Sequence, residues 1–199
     1  DLPLKSNEYI HQFFEDHQGK EFLHFCTMEY TSKASTLYRI QQYHFLQEKV
    51  GRKEKGPLKF MERASLKLQR ILKVNRLKSL DSTPYCGANW FSITHDFATF
   101  VLQKEDYIRK HFKLSFCADE MFLHTLILDS PFAENLYLKE TEDNYESCLR
   151  YIDWKRGTPY VFKTEDFDDL MSSPYLFARK FDLSVDSNIC SLIFNKLKQ

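Results

Sequence analysis

Asp119 and Glu120 are the residues whose chemistry stands out, because two adjacent acids open an otherwise apolar segment. The apolar residues that follow are spaced as in a helix with most of its surface buried: Met121, Phe122, Leu123, Leu126, Ile127 and Leu128. Carboxylates at the start of such a helix are expected at the mouth of a cleft, where one of them can act as a catalytic base. The alternative is that Asp119 caps the helix and Glu120 completes its charged first turn.

Three further segments accompany this acidic pair. They are Asp1-Leu-Pro-Leu-Lys-Ser6, Gly87-Ala-Asn-Trp-Phe-Ser-Ile-Thr94 and Tyr175-Leu-Phe-Ala-Arg-Lys-Phe-Asp182. In this order and spacing the segments resemble the core-2/I-branching β-1,6-N-acetylglucosaminyltransferase family, which includes the peptide O-xylosyltransferases, and the chain looks like a bacterial-type member. The resemblance runs from the first residue to about Asp186 and is poor in the basic middle of the chain.

The resemblance implies an α/β chain with the Rossmann-like nucleotide-sugar glycosyltransferase (GT-A type) fold. It implies an inverting, metal-independent enzyme that moves N-acetylglucosamine or xylose from a UDP-sugar to a saccharide hydroxyl in polysaccharide or glycan biosynthesis. The family's Asp-Leu-Pro-Leu-Lys motif lies well inside its domain. We therefore expect residues 1–199 to be a single C-terminal fragment that carries the acceptor and catalytic part, without the N-terminal nucleotide-binding strands. The expected partners are a nucleotide sugar and a glycan or lipid-linked saccharide acceptor, with no cofactor and no nucleic acid.

The resemblance also implies roles for individual residues. The family's catalytic base falls on Glu120, whereas Asp119 matches a less uniform position and is expected to cap or position the helix. The family's diphosphate lysine falls on Lys180, and strand alternation places Ala178 and Lys180 on one face and Arg179 on the other. We therefore expect Lys180 to point toward the donor. The alternative is a surface lysine at the end of a strand.

A second cation is expected on the diphosphate. The family arginine aligns with Arg156 after a one-residue shift, with Lys155 as the alternative. A planar guanidinium suits diphosphate oxygens, and the following Gly-Thr-Pro sequence would form the turn that presents it. A salt-bridging surface role for Arg156 stays open.

The acceptor site is expected around Gly87-Ala-Asn-Trp90, which resembles the family's Gly-Ser-x-Trp element beside the acceptor sugar. Gly87 would let the backbone approach the ligand, Trp90 would stack on a sugar face, and Asn89 and Asp119 are placed with them. The alternative is a glycine that begins a strand and a tryptophan in the core. The same choice applies to Asp153 and Trp154. Three residues lie where the family contacts its acceptor but have no motif to fix their register, and they are assigned no role: Arg39, Tyr43 and His44.

Metal-binding patterns are weak in this sequence. Asp166-Phe-Asp168-Asp169 has the D-x-D spacing of metal-dependent sugar transferases, but it falls in the first turn of an expected helix, where acids are favoured, and we predict no metal there. The five cysteines are odd in number and lack a C-x-x-C pair, which argues against zinc sites and a disulfide framework. We interpret them as thiols of a reducing cytoplasm.

The elements that must position these residues alternate between helical and extended patterns. Helices are expected at 6–17, 95–102 (capped by Thr94), 105–112, 164–172 and from Asp186 onward. Extended segments are expected at 21–27, 39–46, 89–93, 151–154 and 176–181.

The segment from Lys49 to Lys78 is strongly basic, with eleven Lys and Arg against two acids. Net charge is zero overall, so the remainder carries minus nine. Within it, helical spacing predicts a basic amphipathic helix at about 57–78 from the apolar set Phe60, Met61, Ala64, Leu68, Ile71 and Leu72. Three interpretations stay open: a surface helix with its apolar stripe on the core, a surface attracted to anionic lipid, and a nucleic-acid patch, for which no fold signature is present.

Length and composition bound the remaining possibilities. With 199 residues, of which 43% are hydrophobic, the chain can bury one sizeable core. Five glycines argue against a glycine-rich phosphate loop, and no run of about 18 apolar residues predicts a membrane span. We expect a cytoplasmic protein, with peripheral contact at the inner face of the membrane as an option. The competing hypothesis is a non-catalytic binding protein that uses its basic helix on an anionic membrane or nucleic acid.

Overall fold

The computed structural model describes residues 1–50, 55–138 and 144–198, and these form a mixed α/β structure. The strands are β1 (Leu2–Pro3), β2 (Phe22–Leu23), β3 (Phe91–Ser92), β4 (Arg150–Ile152) and β5 (Phe177–Arg179). The α-helices are α1 (Asn7–Asp16), α2 (Met28–Ser32), α3 (Ala34–Gln41), α4 (Pro57–Ile71), α5 (His95–Gln103), α6 (Glu105–Phe112), α7 (Phe122–Leu128), α8 (Phe167–Ser172) and α9 (Asn188–Leu197). Short 3-10 turns lie at Arg76–Ser79, Ala118–Glu120, Pro131–Asn135, Tyr145–Cys148 and Thr164–Asp166. The expected α/β class is confirmed at this level.

Two small sheets hold the ends of the chain and the middle together. β5 is the central strand of the first sheet, antiparallel to β1 and parallel to β4, with Leu2 opposite Ala178. β2 and β3 form the second sheet, antiparallel, with Leu23 opposite Phe91. The first motif of the chain is therefore paired directly with the last.

Several helix boundaries follow from capping side chains that the sequence displays. The hydroxyl of Ser6 accepts a hydrogen bond from the amide of Tyr9 at the start of α1. Thr94 accepts from the amide of Phe97 at the start of α5, as expected, and α6 has the expected bounds. Asp186 accepts from the amide of Asn188, so the acid caps α9 and lies just outside it.

Two hydrophobic clusters lie under the two sheets. The first packs β1 and β5 against α8 and α9 and contains Leu4, Phe162, Leu170, Ala178, Ile189 and Ile193. The second packs β2 against α5 and α7 and contains Leu23, Phe25, Phe97, Leu123, Ile127 and Leu136. The apolar helix that follows the acidic pair is thus buried as its sequence predicts, with α7 residues 123–127 all buried.

The expectation of an extended segment at 39–46 is wrong over its first residues. α3 continues to Gln41 because Thr36 and Ile40, one turn apart, are buried on the same face. Beyond the helix, the amide of His44 donates to the carbonyl of Leu114.

The basic helix is real but is oriented opposite to the first of the three interpretations. α4 buries two polar residues, Glu62 (5% exposed) and Gln69 (7%), while the predicted apolar stripe faces outward. Gln69 accepts from the amide of Tyr43 at 2.8 Å and donates to the carbonyl of the same residue at 2.9 Å. Glu62 accepts from the amide of Leu46 at 3.0 Å. The buried backbone groups of the loop at residues 43–46 need hydrogen-bond partners, and the polar face of α4 supplies them. This requirement outweighs the apolar pattern in deciding which face of α4 is buried.

α4 also ends earlier than the predicted 57–78. Arg76 lies in the separate 3-10 turn, is only 9% exposed, and donates to the carbonyls of His111 and Lys113 at 2.8 Å. Arg76 therefore links its 3-10 turn to the backbone at the end of α6, and it is not part of a basic surface. Among the described residues, no helix is long and apolar enough to span a membrane.

Candidate active site

A cleft of about 790 Å³ lies between the β2–β3 sheet and the β4–β5 end of the first sheet. Its lining combines small backbone-exposing residues and several aromatic rings with two carboxylates, Glu29 and Glu120, two arginines and one lysine, Lys33, which pairs with Glu29. Glu120, Arg39 and Gly87 lie on one side, and Trp154 and Arg179 come from the other. This volume is within the range of sites that take a drug-sized ligand.

Glu120 lies at the end of the 3-10 turn Ala118–Glu120, one residue before the N-cap of α7. One of its carboxylate oxygens accepts a hydrogen bond from the guanidinium of Arg39 at 2.7 Å, and its side chain keeps 35% of its surface exposed. Burial acts to lower the pKa of Arg39, but the charge and hydrogen bond of Glu120 outweigh it and raise that pKa. Glu120 is therefore an oriented carboxylate that still reaches the cleft.

Asp119 does not cap α7, and the capping prediction is wrong. Its carboxylate accepts no hydrogen bond from a backbone amide of the helix. Instead it accepts one from the side-chain amide of Asn89 at 2.9 Å. The reason is the intervening 3-10 turn, which moves the helix start to Phe122. Asp119 and Asn89 thus form a polar pair beside Glu120.

Gly87 is required by the protein's own packing. A Cβ at this position would lie 1.9 Å from the carbonyl oxygen of His24 and 2.4 Å from Nε2 of His124. The amide of Gly87 donates to the carbonyl of Glu120 at 3.0 Å, and the next amide, of Ala88, donates to Nδ1 of His24 at 3.0 Å. The glycine therefore ties the Glu120 turn to β2, and its tight contacts lie inside the protein.

An aromatic wall lines the cleft near this glycine. The ring centroids of Trp90 and Tyr145 lie 6.4 Å apart, and those of Tyr145 and Trp154 lie 6.5 Å apart. The guanidinium of Arg179 lies 4.2 Å from the Trp90 ring centroid. The imidazole ring of His24 stacks on the Tyr145 ring, with the ring centroids 4.0 Å apart. Exposed faces of such rings suit the apolar face of a sugar.

Lys180 is placed outside this lining. The face of β5 that carries Ala178 packs in the core, with Ala178 fully buried, so Arg179 is the side chain that reaches the cleft. Lys180 follows directly, is exposed, and is held by its backbone, which pairs with Tyr160 and Phe162. Its contact with a donor diphosphate stays a prediction.

Arg156 is engaged by two carboxylates. It pairs with Asp153 and with Asp166, the latter at 2.6 Å, and these hydrogen bonds raise its pKa. Its guanidinium also lies 4.1 Å from the ring centroid of Tyr160. This arrangement matches the salt-bridging alternative, and Arg156 is outside the cleft lining.

The first acid of the D-x-D segment also makes structural hydrogen bonds within the protein. Asp166 is 3% exposed, and its two carboxylate oxygens accept from Arg156 and from the amide of Lys163. In the described part of the chain, no group of three or more His, Cys, Asp or Glu side chains is arranged to hold a metal ion. That the reaction needs no metal stays a prediction.

Two thiols, those of Cys26 and Cys86, belong to the residues that line the cleft. The amide of Cys26 donates to the carbonyl of Cys86 at 2.9 Å, which holds the two residues side by side. The hydrogen bond with the Cys26 side chain lowers the pKa of the Cys86 thiol to about 7, against the opposing effect of burial.

Sequence reasoning missed Arg39, Tyr145 and Arg179 as cleft residues. Strand alternation separates Arg179 from Ala178 and Lys180, but only the burial of Ala178 shows which of the two faces is the core. Arg39 was assigned no role because no motif fixed its register, and its place beside Glu120 depends on a contact between residues 81 positions apart. Tyr145 carries no local signal.

Comparison with known proteins gives consistent matches. A family model described as Core-2/I-Branching enzyme matches residues 1–170. The chain is 30% identical over 121 residues to Xylosyltransferase 2 of Rattus norvegicus, covering 54% of this chain and 14% of that protein. It is 24% identical over 204 residues to Xylosyltransferase sqv-6 of Caenorhabditis briggsae, covering 94% of this chain and 23% of that protein. The chain thus spans less than a quarter of the length of these relatives.

Proposed function

The chain belongs to the Core-2/I-branching enzyme family, and on that premise we propose that it carries the acceptor and catalytic part of an inverting, metal-independent glycosyltransferase. The fold proposed for the whole domain is the Rossmann-like nucleotide-sugar (GT-A type) fold. The observation that carries the proposal is Glu120, an arginine-oriented carboxylate that faces a cleft with an aromatic wall. The donor is a UDP-sugar of xylose or N-acetylglucosamine, and the xylosyltransferase relatives favour xylose.

Glu120 is the proposed general base. It accepts the proton of an acceptor hydroxyl as that oxygen attacks the anomeric carbon, and the bond from that carbon to the diphosphate breaks with its electron pair leaving on the nucleotide. Arg39 holds one carboxylate oxygen at 2.7 Å, which leaves the other for the acceptor. Inversion follows from a single displacement at that carbon.

The acceptor sugar is proposed to lie against the wall formed by Trp90, Tyr145 and Trp154. Asn89 and Asp119 form a hydrogen-bonded pair next to Glu120 and can exchange that bond for sugar hydroxyls. Gly87 contributes by keeping this segment close to the Glu120 turn. The acceptor is a glycan or lipid-linked saccharide.

Charge on the leaving diphosphate needs a cation, and Lys180 is the proposed residue. Its ammonium is exposed at the end of β5, directly after Arg179 in the cleft. Arg156 is the weaker candidate, because Asp153 and Asp166 already balance its charge. Losing one contact that stabilises developing charge costs on the order of a hundredfold in turnover.

The test is sugar transfer by the full-length protein that contains this chain, with a chelator present and a panel of UDP-sugars. Glu120→Gln keeps the size of the side chain and removes the base, so we expect transfer to fall by about a hundredfold or more. Glu105→Gln is the matched control, because Glu105 is also paired with an arginine, Arg109, but is outside the cleft lining. Unchanged transfer by folded Glu120→Gln would remove Glu120 as the base.

The cation is tested by Lys180→Ala beside Arg156→Ala. We expect Lys180→Ala to lose about a hundredfold in turnover without loss of stability, because the side chain is exposed. If Arg156→Ala alone lowers turnover in folded protein, the two assignments are reversed.

A further inference from the structure

The apolar face of α4 lies outside the protein. Phe60 is 74% exposed and Ile71 is 67% exposed, and Met61, Leu68 and Leu72 are each more than half exposed. The opposite face of the same helix buries Glu62 and Gln69 against the loop at residues 43–46. The burial of polar residues beneath exposed apolar ones shows that this face is not part of the core of the described chain.

The exposed residues form contiguous stripes. At about 100° per residue, Phe60, Ala64 and Ile71 align, and Met61, Leu68 and Leu72 align beside them, giving an apolar sector of about 120°. Arg63, Lys67 and Arg70 follow at i, i+4 and i+7 and form a cationic stripe along one flank of that sector. All three cations are exposed.

We infer that α4 is a membrane-surface helix that inserts this apolar sector into a bilayer containing anionic lipid. An interfacial helix needs an apolar face with cations at headgroup level, and both are present on this one 15-residue element. The inference does not depend on the proposed glycosyl transfer, since it needs neither the cleft nor a donor.

Charge complementarity selects an anionic lipid surface as the occupant. Residues 49–78 hold eleven cations and two acids, and one of each, Arg76 and Glu62, is buried. The rest of the chain carries minus nine, so an anionic surface attracts this segment and repels the remainder. Such a field orients α4 toward the bilayer. A purely apolar protein partner would leave the cationic stripe without a counterpart.

The experiment is co-sedimentation of the full-length protein with vesicles of phosphatidylcholine alone or in equimolar mixture with phosphatidylglycerol. We expect binding to the anionic vesicles, and each neutralised cation should weaken it roughly fivefold. The triple variant Arg63→Gln/Lys67→Gln/Arg70→Gln should therefore bind about a hundredfold more weakly. Binding should also weaken as NaCl rises from about 0.1 M to about 1 M, over which the Debye length falls from about 10 Å to about 3 Å.

Apolar insertion is tested by Phe60→Ser/Ile71→Ser. We expect this variant to lose vesicle binding while it keeps its melting temperature, since both side chains are exposed. The matched controls are Leu102→Ser on α5, which is 75% exposed, and Lys110→Gln on α6, and both should bind like the unaltered protein.

Three outcomes would overturn the inference. The first is equal sedimentation with both vesicle types at low salt, or none with either. The second is a drop of several degrees in melting temperature for Phe60→Ser/Ile71→Ser but not for Leu102→Ser, which would show that the full-length protein covers this face itself. The third is a dimer in solution that this variant dissociates, which would assign the face to a second copy.

Discussion

At the scale of single residues, His124 shows how tightly the protein packs behind the cleft. Its ring is fully buried on α7, edge to face with Phe25 at 5.4 Å and next to the backbone of Gly87. Burial lowers its pKa to about 3, so the ring stays neutral in the folded protein. In the unfolded chain the same ring takes up a proton near pH 6.5.

The folded protein should therefore lose stability in mild acid. Below about pH 6.5, His124 is protonated in the unfolded chain but stays neutral in the folded protein. The free energy of unfolding therefore falls by about 1.4 kcal/mol per pH unit, or roughly 2 kcal/mol by pH 5. Burial also lowers the pKa of His44 and His111, which adds in the same direction. Urea unfolding from pH 7 to pH 5 measures the slope. His124→Leu should reduce this slope, and equal slopes in the variant and the unaltered protein would refute the argument.

Gly87 supports a second prediction. Gly87→Ala places a Cβ within 1.9 Å of a backbone oxygen, which cannot move as a side chain can, and should lower the free energy of unfolding by roughly 1–3 kcal/mol. Because the amide of Gly87 holds the Glu120 turn, sugar transfer should fall in the same variant. Gly19→Ala is the comparison: it has open space but φ of +83°, so it should cost about 1 kcal/mol and leave transfer unchanged. Normal transfer by Gly87→Ala would show that the turn tolerates displacement.

The sequence allowed some of the cleft residues to be assigned but not others. An acid before an apolar helix is a local pattern that drew attention to Glu120, and the family resemblance implied its role as the base. The structure brings its side chain into one cleft with Gly87, Asn89 and Trp90. Arg39 and Tyr145 were not assigned because their place depends on contacts more than 20 residues along the chain from the acidic pair. For Lys180 the strand alternation was available, but only the burial of Ala178 shows which face is the core.

At the scale of elements, the sequence predicted most of the described helices but not α2 and α3, and the orientation that it indicated for α4 was wrong. Residues 57–71 do form an amphipathic helix, but its hydrophobic pattern indicated the wrong face for the core. Periodicity reports that a helix has two unlike faces and leaves open which one the protein covers. Here the amides of the loop at residues 43–46 need acceptors from outside the loop, and the polar side chains of α4 provide them.

The outward orientation of the apolar face of α4 predicts that a polar-to-apolar substitution destabilises the protein more than an apolar-to-polar one. Gln69→Leu adds a hydrophobic side chain at a buried position, yet it leaves the amide and carbonyl of Tyr43 without their partners and should lower the free energy of unfolding by about 1–3 kcal/mol. The adjacent Leu68→Gln removes a hydrophobic side chain but should change it by less than about 0.5 kcal/mol, because Leu68 is exposed. Urea unfolding of the two variants decides the point. The opposite order would mean that the apolar stripe faces the core.

At the scale of the whole molecule, the cleft depends on two walls that come from distant parts of the chain. One of these side walls is formed by lining residues between 24 and 39, residues 86–90 and residue 120, and the other is formed by residues 145, 154 and 179. The aromatic wall of Trp90, Tyr145 and Trp154 spans both. Contact between them runs through Arg179 over Trp90 and through the Trp90, Tyr145 and Trp154 rings. A ligand that fills the cleft must therefore restrain both walls at once.

Hydrogen exchange of the full-length protein with bound uridine diphosphate tests this coupling. At a ligand concentration about a hundred times Kd, amides that exchange only when the site opens should slow by about a hundredfold. We expect this protection in β5 and the following Lys180 amide, and also in the 86–92 segment across the cleft. Uridine, which lacks the diphosphate, is the control ligand and should leave residues 177–180 unprotected. Protection confined to one wall would mean that the donor does not bridge the cleft, and the catalytic geometry proposed around Glu120 would then need a second conformation of the protein.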